Sequence, residues 1–391
     1  MNNLATNKLG LEPYRVLSIE LEPTHYKADL WNKISCSKKV DVEVLFTQSK
    51  NWEPDGGHNY LHFPKQHFPN VVLSGQGFFG SLMSTLYVIK TIVLGKPDIV
   101  VVCGYSHAQT AFAQFASIVF RKPFLVYVDQ FNLKKPIGNF QLFKWFFREM
   151  LRKCAFVFSK GVLVCGRNGF GSAIAAGCVP DKLYNFPYVI DLERILTDSP
   201  NVIPKRCIED ALMDTPIIFF SGRMIERKGL PSLIKALSSI SENIEWVLWI
   251  EGDGPELDHY TSLASQYGIS HRCRFLGFCQ YDLHSWLIRN SNIVIVPSLE
   301  DNWGIVVDEG LQLGKIVVSS DAAGSACDRI TDKVNGFIFK AGDSESLADI
   351  IMQLLTQSFD TVANAAKHCS KNVTPEDNLE TLLSVIRNIV K

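Results

Sequence analysis

The sequence predicts an α/β protein built from two doubly wound, Rossmann-like domains. Its 391 residues are enough for two or three domains, and a hydrophobic fraction of 47% can fill more than one core. Apolar, strand-like runs alternate with helical stretches twice along the chain, and a segment rich in Pro, Asp and Ser separates the two series. Such alternation is the pattern of a parallel sheet with crossover helices.

The first series occupies residues 14–135. Its strand-like runs read YRVLSIE, VDVEVLF, PDIVVVCGY and PFLVYVD, and HAQTAFAQFASIVF before the last of them has helical character. The long apolar window GFFGSLMSTLYVIKTIVLG is interrupted by Lys90 and by several Gly, Ser and Thr residues, so it falls short of a membrane span. We expect this window to be a buried helix.

The second series follows residues 197–216, TDSPNVIPKRCIEDALMDTP, which we interpret as an interdomain linker. Its strands read PIIFFSG, EWVLWIEGDG, RCRFLGF, IVIVPS and KIVVSSD, with helical stretches between them. The predicted domains are residues 1–195 and 196–373, followed by a C-terminal helix over 374–391.

The C-terminal helix is predicted from its own start signals. Thr374 is suited to the N-cap and Pro375 to the first helical position, and acids follow in the first turn. Leu and Ile recur at helical spacing from Leu379 onward, which indicates one buried face. We expect this helix to pack back on the N-terminal domain.

Charge and cysteine content narrow the class of protein. The 39 Lys and Arg nearly balance the 40 Asp and Glu, so the net charge does not indicate nucleic acid as a partner. The ten cysteines form no CxxC pair and lie mostly in apolar segments, as reduced, buried thiols do. The N-terminus lacks a basic region followed by an apolar core, so we expect a cytoplasmic protein.

Two cations follow the first strand of the second domain. In SGRMIERKGLPSL, Gly222 ends the strand, and Arg223 and Lys228 lie before a helix whose start is marked by Pro231. Two cations beside a helix N-terminus make an anion site suited to a diphosphate. The alternative is a pair of solvated surface charges. After the next strand, IEGDGP places Gly252 and Gly254 where a ligand could approach the backbone, or where a plain tight turn is needed.

Two acids, Asp301 and Glu309, lie eight positions apart in VPSLEDNWGIVVDEGLQLGKIVVSSD. Here IVIVPS is predicted as a strand, LEDNWG as a loop, and IVVDEGLQL as a helix that ends at Gly314. A carboxylate at the carboxyl edge of the sheet can accept hydrogen bonds from ribose or sugar hydroxyls. Alternatively, Asp301 is an N-cap and Glu309 an exposed helix residue.

Together, SGRMIERKGL, EGDGP, FLGF, VPSLEDNWGIVVDEGLQLGKIVVSSDAAG and VNGFIF resemble the donor half of family 4 retaining glycosyltransferases of the GT-B fold. The resemblance covers about residues 217–345. It implies two Rossmann-like domains facing a cleft, with a nucleotide-sugar in the C-terminal domain and a glycan or lipid-linked acceptor on the N-terminal one. It also implies a hexosyltransferase-type enzyme that retains the anomeric configuration.

The resemblance assigns roles to residues of this sequence. Arg223 and Lys228, with Gly222, correspond to the residues that hold the nucleotide diphosphate. The family's pair of acids corresponds to Asp301 and Glu309, the second acid binding ribose and the first lying beside the donor sugar. Asp stands at 301 where the family has Glu, so the adjacent Glu300 is an alternative. The backbone amides of Asn302, Trp303 and Gly304 would face the phosphates or sugar.

The N-terminal half resembles the family more loosely. Asp129 ends the strand PFLVYV, where members often keep a polar residue that contacts the donor sugar, so a catalytic role is one interpretation and a capping aspartate the other. His107 in GYSHAQ has a similar position. No glycine pair follows YRVLSIE, as many members have.

Two patterns compete with this interpretation. The literal GxGxxG at Gly75, Gly77 and Gly80 has its nearest acid, Asp98, at the wrong end of the next strand, so we interpret it as turn and packing glycines. His58, His62 and His67 lack the ligands that would complete a metal set, so a polar loop is preferred. We predict no metal and no other cofactor.

Residues 140–153 suggest a membrane surface as a partner. Lys144, Arg148 and Arg152 fall on one helical stripe, and aromatic residues fill most of the remainder. This composition suits a helix in the interface of an anionic leaflet, which would make the protein peripheral on the inner membrane face. An ordinary domain helix with its basic stripe in water is the alternative.

The activity that follows is transfer of a sugar from a nucleotide-diphosphate donor to an acceptor. The leaving diphosphate would be neutralised by Arg223, Lys228 and a helix terminus in place of a metal cation. Two alternatives remain at this stage: a nucleotide-sugar epimerase of the same fold, and a non-catalytic subunit of a glycosyltransferase complex.

Overall fold

The protein is described here by a computed structural model, which covers residues 12–21, 24–47, 68–73, 77–105, 107–131, 139–357 and 375–390. The chain divides into two compact units. Val189 ends the main segment of the first unit, and Ile190 begins that of the second, a few residues before the predicted boundary. The segment after residue 373 returns to the first unit.

The first unit contains a parallel sheet of seven strands within the described residues. Its strands are β1 (Tyr14–Glu20), β2 (Val40–Phe46), β3 (Asn70–Val72), β4 (Ile99–Cys103), β5 (Phe124–Val128), β6 (Gly161–Val164) and β7 (Leu183–Asn185). The spatial order is β3-β2-β1-β4-β5-β6-β7. The strand order therefore reverses between β1 and β4, which is the switch point of a doubly wound fold.

Helices cover this sheet. They are α1 (His25–Cys36), α2 (Gly77–Leu94), α3 (Ala108–Val119), α4 (Asn139–Phe158) and α5 (Gly166–Ala175). Gly77 and Gly80 lie in α2, whereas Gly75 is outside the described residues. Asp98 precedes β4, and its Oδ2 accepts a 2.8 Å hydrogen bond from the backbone N–H of Arg15. That acid therefore lies at the amino end of the strands, whereas a dinucleotide site needs an acid at their carboxyl end.

Two predictions about these helices were wrong in part. The apolar window that forms α2 is not fully buried: Val88 and Ile92 face the core, but Phe79 and Met83 are exposed. On α4, Arg152 is buried and ion-paired with Glu149, so the predicted basic stripe does not lie wholly on the outside. The helical period fixes which residues share a face, but it does not decide the buried face when aromatic residues lie on both sides.

The second unit contains a parallel sheet of six strands in the order β10-β9-β8-β11-β12-β13. Its strands are β8 (Ile217–Ser221), β9 (Val247–Glu251), β10 (Cys273–Gly277), β11 (Ile293–Val296), β12 (Ile316–Ser320) and β13 (Phe337–Phe339). Its helices are α6 (Leu192–Thr197), α7 (Lys205–Leu212), α8 (Leu230–Ser238), α9 (Leu257–Gln266), α10 (Tyr281–Asn290), α11 (Ile305–Gln312), α12 (Gly324–Arg329) and α13 (Ser344–Thr356). The switch point lies between β8 and β11.

Buried residues of β8 supply both faces of this sheet. Ile218 and Phe220 pack in one hydrophobic cluster, and Ile217 and Phe219 pack in the other. Successive side chains of a strand point to opposite faces, so a strand with helices on both sides is apolar throughout. The prediction of two doubly wound α/β domains is confirmed.

The interpretation of residues 197–216 as a linker was wrong for 205–212, which form α7. Cys207 and Asp210 of α7 are buried in the second unit. Asp210 accepts hydrogen bonds from Trp249 Nε1 at 2.9 Å and from Arg274 Nη2 at 3.0 Å. This segment is ordered by tertiary contacts, which its Pro- and Asp-rich composition did not reveal.

The C-terminal helix, α14 (Pro375–Val390), belongs to the first unit, as predicted. Its buried apolar residues are Leu379, Leu382, Leu383, Val385 and Ile386. The helix contacts α1, and Asn378 Nδ2 donates a 2.8 Å hydrogen bond to the carbonyl of Pro187. Thr374, the predicted N-cap, is outside the described residues.

Candidate active site

The loop after β8 is bonded to the loop after β9 through backbone groups. The N–H of Gly222 donates to the carbonyl of Glu251 at 3.1 Å, and that of Met224 donates to Asp253 at 2.9 Å. A Cβ added at Gly252, whose φ is +124°, would lie 1.8 Å from the carbonyl oxygen of Gly222. The group that approaches Gly252 closely is therefore the neighbouring loop.

Gly254 meets the same loop. A Cβ at this position would lie 2.7 Å from the carbonyl oxygen of Met224. The GxG pattern therefore has a structural explanation, in which two strand-to-helix loops pack against each other without side chains between them.

The same β8 loop also contacts the loop after β11. Lys228 Nζ lies 2.6 Å from Asp301 Oδ2, and the two side chains are 20% and 10% exposed. Gly229 has a φ of +71°, and a Cβ there would lie 1.9 Å from the carbonyl oxygen of Pro297. Arg223 is half-buried on this loop, and the aliphatic stem of Lys228 lies against Gly222. The two predicted cations thus occupy one loop at the switch point.

Glu300 and Asp301 have different surroundings. The backbone of Glu300 is bonded to Arg227, through a 3.3 Å hydrogen bond from its N–H to the carbonyl of Arg227 and another from Arg227 Nη1 to its own carbonyl. The Glu300 residue is exposed, whereas the carboxylate of Asp301 contacts Lys228 and accepts from Ser298 Oγ at 3.4 Å. Asp301 is therefore the acid that lies with the predicted phosphate-binding lysine.

The backbone at residues 303 and 304 is held by the start of α12, the helix that follows β12. Ser325 Oγ donates to the carbonyls of Trp303 and Gly304 at 2.6 and 2.8 Å. Gly304 is the N-cap of α11 with a left-handed φ of +81°, a conformation that a side chain would strain. Asp301 is not the N-cap of α11, so that alternative for this acid is wrong.

Trp303 points into the protein. Its side chain is buried, and its Nε1 donates a 2.6 Å hydrogen bond to Asp308 Oδ2. Burial raises the pKa of the Asp308 carboxyl, although Arg329, 2.9 Å away, and the bond from Trp303 oppose that rise. The buried indole therefore fixes the start of α11 from the protein interior. Only the backbone of Trp303 remains a candidate for contact with a ligand.

Glu309 is buried within α11, so the alternative of an exposed helix residue is wrong. Tyr281 donates its hydroxyl to Glu309 Oε1 at 3.0 Å, and His284 Nε2 lies 3.1 Å from Glu309 Oε2. The other ring nitrogen of His284 lies 2.6 Å from Oε2 of Glu251, the last residue of β9. Tyr281, His284 and Glu251 were not predicted from the sequence.

His284 is held between two carboxylates. Burial acts to lower the pKa of its imidazole, but Glu251 and then Glu309 raise it well above its usual value. A protonated imidazole has two N–H donors, one for each carboxylate. The cluster therefore anchors Glu309 to the carboxyl end of β9. Glu251 is an acid at the end of an otherwise apolar strand, and this was the one sign of the cluster that the sequence contained.

The first unit has a polar cluster at the carboxyl ends of β1 and β5. Asp129 follows β5, and its Oδ1 accepts a 2.6 Å hydrogen bond from the hydroxyl of Tyr188. Lys27 Nζ lies 3.2 Å from Glu20 Oε2, at the end of β1, and 3.7 Å from the centroid of the Tyr127 ring. Asp129 was predicted from the sequence, but its neighbours Tyr188, Lys27 and Glu20 were not.

Glu20 and Lys27 form a buried ion pair. Burial acts to raise the pKa of Glu20, but Lys27 and hydrogen bonds from neighbouring side chains, Trp31 among them, hold it below its usual value. Burial acts to lower the pKa of Lys27, but the carboxylates of Glu20 and Asp129 contribute to raising it. Both groups are therefore charged at neutral pH.

Of the two other histidine predictions, only that for His107 falls on described residues. His107 is an exposed residue at the N-cap position of α3, and its carbonyl accepts a 3.0 Å hydrogen bond from Thr110 Oγ1. His58, His62 and His67 are outside the described residues. Within the ranges that the structure describes, no group of three or more His, Cys, Asp or Glu could hold a metal ion.

Two doubly wound parallel units, with a cationic loop at the switch point of the second, define the GT-B class of folds. Residues 205–374 match the family model described as glycosyl transferases group 1. This match covers the second unit and less than half of the chain. The resemblance of the second unit to GT-B glycosyltransferases is confirmed.

Known proteins resemble the chain over different extents. The lipopolysaccharide core biosynthesis glycosyltransferase LpsE of Rhizobium meliloti is 32% identical over 149 residues, which cover 38% of this chain and 42% of LpsE. A glycosyltransferase of Methanocaldococcus jannaschii, MJ1607, is 33% identical over 135 residues, 34% of each chain. The match therefore spans less than half the length of these curated relatives.

The structural likeness extends further. The crystal structure of Anabaena HepE in complex with UDP covers 96% of this chain and 100% of HepE, with a TM-score of 0.75 at 20% identity. This likeness shows that the fold is shared across both units. Among the helices that the structure describes, none is both long and apolar enough to cross a membrane.

Proposed function

We propose that the chain transfers a sugar, a hexose, from a nucleotide-diphosphate donor to an acceptor, with retention of the anomeric configuration. The observation that carries this proposal is the ion pair of Lys228 and Asp301. It joins a cationic loop to an acidic loop at the switch point, inside the segment that matches the glycosyltransferase family. Ligands of doubly wound sheets bind at this place.

The diphosphate of the donor binds Arg223 and Lys228 in this proposal. An ammonium has three donors, so the ion pair with Asp301 leaves donors of Lys228 for a phosphate oxygen. A guanidinium at Arg223 can bind two oxygens at once. The backbone at 302–304 lies at the N-terminus of α11, whose dipole also favours an anion.

The ribose binds Glu309. Its two oxygens accept from Tyr281 and contact His284, and a carboxylate oxygen can accept more than one hydrogen bond. The raised pKa of His284 favours a protonated ring, whose contact with Glu309 holds that side chain in place. Because the acceptor is already fixed, binding of a diol does not carry the free-energy cost of ordering this side chain.

Transfer proceeds on one face of the donor sugar. The acceptor oxygen forms a bond to the anomeric carbon as the bond to the diphosphate oxygen breaks, and the acceptor proton passes to that diphosphate. Arg223 and Lys228 stabilise the charge that develops on the leaving group. In this proposal Asp301, or Glu300 beside it, contacts the donor sugar, and Asp129 is the candidate catalytic residue of the first unit. No metal ion is required in this proposal.

The acceptor is a glycan or a lipid-linked glycan, bound by the first unit. LpsE is named for lipopolysaccharide core biosynthesis, which supports an acceptor of this class. An anionic membrane surface at residues 140–153 is part of the same proposal. Arg152 is buried, so the contact on α4 must be made by other residues of the helix.

A thermal-shift panel of UDP, GDP, ADP and CMP tests the donor site. HepE was crystallised with UDP, so UDP is the first nucleotide to try. A bound ligand raises the apparent stability, and at about 100 times its dissociation constant the gain is about 2.7 kcal/mol. We expect one nucleoside diphosphate to raise Tm, and Arg223→Ala to abolish the shift. The absence of a shift with all four nucleotides would contradict the proposal.

A second assay separates a transferase from an epimerase. A transferase with a suitable acceptor releases the nucleoside diphosphate in step with the glycosylated product. An epimerase consumes the nucleotide-sugar without an acceptor and returns an isomeric nucleotide-sugar. Detection of that isomer in acceptor-free reactions would favour the epimerase.

A further inference from the structure

Three helices of the first unit expose large apolar side chains on their outer side. More than half of the large hydrophobic residues that are exposed in the described residues lie on α2, on α4, or on α3 and its C-cap. Examples are Phe79 on α2, 79% exposed, Phe115 on α3, 62% exposed, and Phe146 on α4, 66% exposed. We call the exposed side of these three helices the apolar face.

The three helices lie on the same side of the sheet. Val88 of α2, Ala113 of α3 and Ala155 of α4 belong to one buried cluster with residues of β1, β4 and β5. In addition, α2 packs along α3, and α3 contacts α4. Their outward sides therefore form one continuous surface. Exposed apolar side chains that lie together on one surface of a folded unit mark a candidate interaction site.

The charges on these helices are nearly all positive. Neither α2 nor α3 contains an acid, and Lys90 of α2 is exposed. On α4, Lys153 is exposed, whereas the one acid, Glu149, is largely buried and paired with Arg152. The apolar face therefore carries exposed cations and lacks an exposed carboxylate on its helices.

A basic pocket adjoins the C-terminal ends of α3 and α4. It has a volume of about 370 Å³, and Arg121, Lys122 and Lys160 contribute to its lining. Phe158, the last residue of α4, lines the same pocket and is exposed, so the pocket continues into the apolar face. This volume lies within the usual range for pockets that bind small ligands, so the pocket can take an anionic headgroup beside a surface that is suited to acyl chains.

We propose that the apolar face and its basic pocket bind the surface of an anionic lipid bilayer, with the apolar side chains among the acyl chains and the cations at the headgroups. Apolar burial and attraction to anionic lipid both contribute to such binding. A second copy of this chain fits less well, because a symmetric contact would bring two basic rims together.

This inference rests on the proposed function in one respect: a lipid-linked acceptor would require the chain to work at a bilayer. The residues involved are distinct from those of the donor site. Binding to lipid can therefore be measured without a donor, an acceptor or turnover.

The experiment is flotation of the full chain with vesicles of phosphatidylcholine alone or mixed with phosphatidylglycerol. The triple variant Phe79→Ser, Phe115→Ser, Phe146→Ser removes one exposed aromatic from each helix. Its control, Leu212→Ser with Met213→Ser, removes exposed apolar residues of the second unit. All these side chains are exposed, so the fold should be retained, and circular dichroism checks this.

A charge variant tests the pocket. Arg121→Glu with Lys160→Glu reverses two exposed cations, and Lys205→Glu with Arg206→Glu makes the same change of net charge on α7. We expect the wild-type chain and both controls to bind vesicles that contain phosphatidylglycerol. We expect the triple variant to lose at least about tenfold in partition coefficient, and the pocket variant about tenfold or more.

Several outcomes would overturn the proposal. The first is equal flotation of the triple variant and its control, and the second is binding that does not depend on phosphatidylglycerol. The third is a wild-type dimer in sedimentation that the triple variant abolishes, without vesicle binding, which would assign the face to a second copy. A UDP thermal shift measured on the same variants separates failure of the bilayer inference from failure of the proposed donor site. If UDP still raises Tm but the chain does not float with vesicles, only the bilayer inference is wrong. If the chain floats with vesicles but UDP does not raise Tm, the result counts against the donor site.

Discussion

Lys228 Nζ lies 2.6 Å from Oδ2 of Asp301, and this ion pair joins the loops that follow two adjacent strands, β8 and β11. Both side chains are mostly shielded from water, so the pair is screened less than a surface pair. The lysine is therefore held in place before a ligand arrives. A preorganised cation of this kind stabilises developing negative charge without reorganising during the reaction.

We expect replacement of either predicted phosphate-binding cation to reduce catalysis while the fold persists. Arg223→Ala and Lys228→Ala should each lower kcat by about 100-fold, as the loss of one preorganised charge donor does elsewhere. Lys235→Ala, an exposed cation on α8, is the control. Steady-state kinetics with near-normal kcat in both variants would exclude Arg223 and Lys228 as the phosphate site.

The two neighbouring acids should differ in their effects. Asp301→Asn removes the charge that faces Lys228 and should lower the free energy of unfolding by about 2 kcal/mol, together with turnover. Glu300→Gln alters an exposed side chain and should leave stability unchanged. Urea titration and turnover assays of both variants measure this. A larger loss of turnover in the Glu300 variant would reverse the assignment of the sugar-side acid.

His284 should make stability fall as the pH rises. Glu251 and Glu309 overcome burial and raise its folded-state pKa well above that of the unfolded chain, near 6.5. The folded state therefore binds the proton more tightly. The resulting stabilisation is complete below about pH 6.5 and is lost as the pH rises through the folded-state pKa. Denaturant titrations from about pH 6 upward should show this decline, and His284→Gln should flatten it.

Changes at His284 should also affect the ribose site. Glu309→Gln and His284→Gln should both weaken binding of the free nucleoside diphosphate, because His284 acts by fixing Glu309. If calorimetry found unchanged affinity for Glu309→Gln, the ribose assignment would be wrong. If only His284→Gln bound normally, the histidine would be structural and would not position the carboxylate.

Removal of divalent metal should leave transfer intact. Arg223, Lys228 and the N-terminus of α11 provide the positive charge near the diphosphate in our proposal, so a chelator should not change kcat. Chelated protein and protein with added Mg²⁺ or Mn²⁺ are compared at saturating donor. A loss of activity with chelator that Mg²⁺ or Mn²⁺ restores would show that these groups do not suffice.

Removal of one partner of the buried ion pair in the first unit should destabilise the folded protein. Lys27→Met leaves Glu20 without its cation and should lower the free energy of unfolding by about 3 to 5 kcal/mol. Adding Glu20→Gln should recover much of this loss. Lys39→Ala, which breaks the exposed pair with Glu380, serves as the control and should have little effect. A Lys27→Met variant as stable as the control would show that Glu20 is not charged.

The sequence predicted both sheets because their strands are buried on both faces and read as apolar runs, as β8 and β9 do. Helix α7 could not be predicted in this way. Its order comes from Asp210, which binds Trp249 and Arg274, residues that lie far along the chain. The buried side of α4 was also undetermined, since the position of Arg152 depends on its pairing with Glu149.

The candidate site was predictable where residues follow strands directly. Arg223 and Asp301 lie in such loops, and so does Lys228, because the carboxyl ends of parallel strands meet at one edge. The support around Glu309 was not predictable, because Tyr281 and His284 lie on a different helix. Their role depends on how α10 packs against α11, and the helical spacing of α10 does not encode this.

The return of α14 to the first unit affects the order in which the protein can be completed. During synthesis, residues 190–372 must emerge before this helix exists, a delay of roughly 10 to 40 s at ordinary elongation rates. Throughout that time the surface of α1 that α14 will cover stays open to solvent. The first unit therefore leaves the ribosome first but completes its hydrophobic core last. A nascent chain stalled before residue 375 would be a target for chaperones.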